Sequence, residues 1–113
     1  MRNAFRVDVA DRDETTVDTG LSYRSGDPVL IHVRRRGRRY DLSDGGAAVE
    51  RAGNRPGWLE AAQHVVLVDG FNVNRRGAVF VPVVEGRDLD DLCRRLGATS
   101  RQVYLAVLEL DDA

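Results

Sequence analysis

Apolar and polar residues alternate through the first part of the chain with the period of two that a half-buried strand shows. Residues Phe5 to Val9 alternate in this way, and Val17, Thr19, Leu21 and Tyr23 again occupy every second position. The charged stretch Asp11-Arg12-Asp13-Glu14 between them predicts a loop. Ser25-Gly26-Asp27-Pro28 is turn chemistry, because serine and aspartate bond their own backbone, glycine accepts positive φ and proline presets φ. Val29 to Val33 is a dense apolar run that predicts a central strand. Arg34-Arg35-Arg36-Gly37-Arg38-Arg39 interrupts it, Gly37 lets the chain reverse, and Tyr40-Asp41-Leu42 returns as a strand. Residues 17–42 therefore predict three antiparallel strands in a meander.

Beyond this point the period lengthens. Ser43-Asp44-Gly45-Gly46 ends the sheet, and either Ser43 or Asp44 supplies a cap for a short helix from Ala47 to Ala52. Gly53 is its stop, with Pro56 just past it. A second helix opens at Pro56 or Gly57 and carries Trp58, Leu59 and Ala62. Its end is ambiguous, because His64-Val65-Val66-Leu67-Val68 is rich in β-branched residues and suits helix or strand. Asp69-Gly70 is a turn. Phe71 to Asn74 and Ala78 to Val83 flank Arg75-Arg76-Gly77 as a hairpin, and Pro82, which has no N–H for a ladder, assigns that hairpin to a sheet edge. Leu89, Leu92, Cys93 and Leu96 make an i, i+3, i+4, i+7 stripe capped by Asp88. Gly97 predicts the end of this helix, and Thr99-Ser100-Arg101-Gln102 reads as a capping box for another that runs to about Leu110. With hairpins around a helical middle and no strand–helix–strand alternation, the expectation is one α+β domain over residues 1–113. It has an antiparallel meander sheet with three to four helices packed on one face.

Composition narrows the chemistry. A chain of 113 residues, 42% hydrophobic and 31% charged, can build one core without a disulfide or a metal. No apolar run approaches the ~20 residues of a membrane span. The opening Met-Arg-Asn-Ala-Phe-Arg has no apolar segment behind it, so no secretory signal is expected. Cys93 is the single cysteine, which excludes an internal disulfide and points to a reducing, cytoplasmic setting. Its helical spacing makes it a core residue rather than a reactive thiol. All 17 basic residues are arginine. The absence of lysine excludes Schiff-base catalysis, a Walker-type phosphate loop and a nuclease core ending in Asp/Glu-x-Lys.

Three features could carry function. Residues Cys93 to Val103 have the spacing of a helix-turn-helix, in which Ser100, Arg101 and Gln102 would face base edges. The segment that follows, Val103 to Leu108, is apolar on every side and is followed by Glu109, Asp111 and Asp112, which suits burial against the sheet or a dimer contact through Tyr104, Leu105 and Leu108. The second feature is the arginine tip, Arg34, Arg35, Arg36, Arg38 and Arg39. Guanidinium forks bind phosphates or an acidic protein face, with Arg75, Arg76 and Arg101 as further contacts. The competing reading is a solvated hairpin whose charge guards a strand edge, neutralised in part by the acidic segment Asp8 to Asp18. The third is a carboxylate pair, Asp41 and Asp44, that could hold a divalent cation for phosphodiester cleavage, although Asp44 is better read as a cap. His32 and His64 have no ligand-like spacing with Cys93. No catalytic residue, metal ligand or cofactor is assigned. The expected function is a non-catalytic interaction or regulatory module with an unidentified protein partner or a second copy of itself. Nucleic-acid binding is the alternative, and a metal-dependent nuclease comes third.

A strand that runs into Leu42-Ser43-Asp44-Gly45-Gly46, followed by a helix closing at Ala52-Gly53, resembles a family of short bacterial and phage proteins known only as a domain of unknown function. The family pattern is Leu-Ser/Thr-Asp-Asp-Gly, then a helix with a closing glycine, a further helix, a hairpin like Gly70 to Val84 and a terminal helical stretch. The resemblance spans about residues 16–111 and implies this fold outline, with no activity attached. Gly45 stands where the family carries an acidic residue, which removes one carboxylate from any metal site at the turn.

Overall fold

The computed structural model describes Val7 and residues 13–110. The strand expected at Phe5 to Val9 lies, apart from Val7, outside the described residues, as do Asp11 and Arg12 of the expected loop. Strand β1 (Glu14–Ser22) pairs with β2 (Pro28–Arg36), and β2 pairs with β3 (Arg39–Ser43), all antiparallel. Glu14 therefore opens a strand rather than closing a loop. Inward positions of β2, Val29, Ile31 and Val33, are buried, while the alternate positions His32 and Arg34 face solvent. This is the alternation seen in the sequence.

Helix α1 (Ala47–Arg51) follows, then α2 (Trp58–Asp69), β4 (Asn72–Val73), β5 (Val79–Glu85), a single 3-10 turn (Gly86–Asp88) and α3 (Leu89–Leu108). The stop of α1 is as expected. Gly53 has φ 91°, Asn54 N–H donates to Val49 O at 3.1 Å and Gly53 N–H to Glu50 O at 3.0 Å, the paired bonds of a glycine-terminated helix. Residues 64–68 are helical and complete α2, and Gly70 ends it in the left-handed region at φ 80°.

Among the described residues the sheet has five antiparallel strands in the order β1-β2-β3-β5-β4, so the simple meander stops at β3. The last strand, not the fourth, lies beside β3. The end of β3 and the start of β5 are clipped together by Asp44, whose N–H donates to Val79 O at 2.9 Å. The hairpin does supply the edge strand, β4, but Pro82 lies within β5 at an irregularity. Leu42 pairs with Val81 and Tyr40 with Val84, so Pro82 and Val83 together oppose Asp41. Val83 takes φ 59° there, and its N–H donates to the Asp41 carboxylate at 3.0 Å. A bulge of this kind accommodates a proline that a regular ladder would not.

The larger correction concerns the C-terminal region. Residues 89–108 form one helix of 20 residues that runs through Gly97 without a break. The segment therefore holds no helix-turn-helix, and the described residues contain three α-helices, the lower of the expected numbers. Gly97 serves packing. A Cβ at this position would fall 2.7 Å from Cγ2 of Thr19, so α3 reaches β1 only because residue 97 has no side chain. Thr99 and Ser100, the expected capping box, point sideways to distant partners: Thr99 donates to Asp69 at 2.6 Å and Ser100 to Asp44 at 2.6 Å.

Helix α3 crosses the inner sheet face and packs against β1, β2, β3 and β5, while α1 and α2 pack on α3. The core lies between them around Ile31, Leu42, Val79, Leu96, Val103 and Val107. Cys93 is fully buried there, and burial pushes its thiol up to about 12. Among the described residues, no helix is long and apolar enough to cross a membrane.

Candidate functional site

The polar centre of the molecule is built on Asp44, which is only 1% exposed. The chain turns at Ser43-Asp44-Gly45-Gly46 because Gly45 and Gly46 take φ of 71° and 88°. The turn aims the Asp44 side chain inward. One carboxylate oxygen accepts from Gly46 N–H at 2.8 Å and Val79 N–H at 2.9 Å. The other accepts from Ser100 Oγ at 2.6 Å and Ala48 N–H at 3.4 Å. Because the Ser100 proton is given to Asp44, Tyr23 donates its own to Ser100, over 2.8 Å. The Tyr23 ring lies 5.0 Å from that of Tyr104 and is covered by the Arg51 guanidinium 5.7 Å from its centroid. Arg51 is held in turn by an ion pair with Asp27. Burial raises the Asp44 carboxyl above its ordinary value, opposed by the hydrogen bonds it accepts, and burial likewise raises the Tyr23 hydroxyl.

This network joins α1, β5, α3 and the β1–β2 turn. Each carboxylate oxygen of Asp44 already accepts two bonds, so it offers little to a cation. Asp41, the other half of the expected pair, lies on the outer sheet face with Arg36 at 3.3 Å. The two carboxylates point to opposite sides of β3 and do not converge. Among the described residues, no group of three or more His, Cys, Asp and Glu side chains could hold a metal ion. Ser43 accepts from Gly45 N–H at 2.9 Å, which makes Asp44, not Ser43, the residue that bonds into α1. A Cβ on Gly45 would lie 3.0 Å from the His32 ring, a tight approach, and the φ of 71° at this position favours glycine.

The candidate arginines are dispersed. Arg34 to Arg39 occupy the end of the sheet where β2 turns into β3, beside Glu85 of β5. Arg75 and Arg76 lie in the β4–β5 turn at the opposite end, since that turn precedes Val79, which lies beside Asp44. Arg101 is also at the far end, where its Nε donates to Ser22 O at 3.0 Å. Strand β2 alone separates the ends by about 27 Å. The tip itself is interleaved with carboxylates. Glu14 and Asp41 stand across from Arg34 on either side, Arg36 pairs with Asp41, and Arg39 pairs with Glu85 at 3.2 Å. Neutralisation thus comes from β3 and β5 as well as from the acidic segment. Tyr104 of the expected interface is 4% exposed and part of the core, while Leu105 and Leu108 are half-buried against neighbouring elements.

Sequence reasoning missed the outward side of α2. Leu67 and Val68 are 80% and 84% exposed, the most exposed large apolar side chains described. A groove of about 340 Å³ beside Leu67 is lined by Val66, Phe71, Val73 and Phe80. On the other flank of α2, Ala61 and Val65 face Ala106 and Leu110 across a groove of about 500 Å³. The signal was present in the run Val65 to Val68. On a helix, four successive apolar residues cannot all face one side, so some must point outward.

No family model matches the chain, no curated protein matches it, and no solved structure matches it.

Proposed function

We propose that this protein is a non-catalytic interaction module whose contact surface is the outward side of α2. One observation carries the reading: Leu67 and Val68 on the outward side of α2 are the most exposed large apolar side chains among the described residues, and grooves lined in part by apolar residues run along both flanks of the helix. An apolar pair of this kind, with Glu60, Gln63 and His64 around it, combines the apolar centre and polar rim of an interface. The buried polar groups support the non-catalytic part, because Asp44, Ser100 and Tyr23 spend their bonding capacity on one another and on the backbone.

The test is a photo-crosslinking residue placed at position 67 and, separately, at 83. Val83 is 65% exposed and lies on β5, which makes it a control for nonspecific capture. In native lysate a discrete adduct is expected from position 67 and none from 83. No adduct of any mass at 67, or equal adducts at both positions, refutes the reading.

A further inference from the structure

We draw no further inference here: the strongest candidate, the row of Thr16, His32, Ser43, Phe80 and Asn72 across the outer face of the sheet, offers hydrogen-bonding groups beside two rings, but nothing in the structure shows what covers it.

Discussion

Replacing Asp44 by alanine tests the claim that this carboxylate is a folding device. The substitution leaves the N–H groups of Gly46 and Val79 and the hydroxyl of Ser100 without their partner inside the core, each from a bond of 2.9 Å or shorter. Hydrogen bonds to a charged acceptor are worth about 1.5–3 kcal/mol each, so the three represent roughly 4.5–9 kcal/mol of interaction. Burying the carboxylate costs several kcal/mol, which the variant recovers, and the net loss is about 3–5 kcal/mol. A domain of this size holds about 5–15 kcal/mol in total, so the variant should be marginal. In urea, with a slope of about 1.5 kcal/mol per molar, the midpoint should fall by about 2–3 M. Asp44→Asn keeps an oxygen for Gly46 and Val79 and lets the Ser100 hydroxyl reverse, so it should lose only about 1–2 kcal/mol. A loss below about 1 kcal/mol in the alanine variant would refute the reasoning, because no orphaned core donors could then exist.

The same residue gives a pH prediction. Burial places the folded-state value of Asp44 above its ordinary 3.8, so the folded chain holds this proton more tightly than the unfolded chain. Its contribution is fully present below 3.8 and is lost as pH rises through the folded value. Urea midpoints measured across the acid range should show this downward slope in the wild type and lack it in Asp44→Asn, and identical slopes would count against it.

Other expectations follow from packing and charge. Gly97→Ala should destabilise by about 1–2 kcal/mol although alanine is the better helix former, and Thr19→Ser, which removes the crowding Cγ2, should recover most of that loss in a double-mutant cycle. Cys93 should resist a thiol reagent in the native state and react at the rate of global unfolding, since its thiol is buried and raised to about 12; rapid native labelling would contradict its placement. Arg36→Ala should change stability by no more than about 0.5–1 kcal/mol, because its pair with Asp41 is largely exposed. Binding to duplex DNA or RNA at about 50 mM salt should be weak, and a tight complex with a steep salt slope would show that the interleaved carboxylates do not neutralise the arginine tip.

Much of the fold was legible in the sequence, and the legible parts were local. Period-two alternation marks β1 to β3, the turn residues mark their reversals, and Gly53 closes α1 by a bond pattern written in a few consecutive residues. Burial of Cys93 follows from a helical stripe. The candidate site was legible only in part: Asp44 reads as a cap, but its bonds to Val79 and Ser100 join residues 35 and 56 positions apart. Tertiary structure alone decided the rest. Gly97 and the Thr99–Gln102 segment look like a helix end followed by a cap, because local pattern cannot show that the glycine meets Thr19 and that Thr99 and Ser100 find distant partners. The position of β5 beside β3, clipped there by Asp44, is not written locally, and the arginines look like one set until strand direction places them at opposite ends of the sheet. The exposed side of α2 is likewise a matter of packing. A run of apolar residues states what should be buried, and only the packed molecule shows which of them are not.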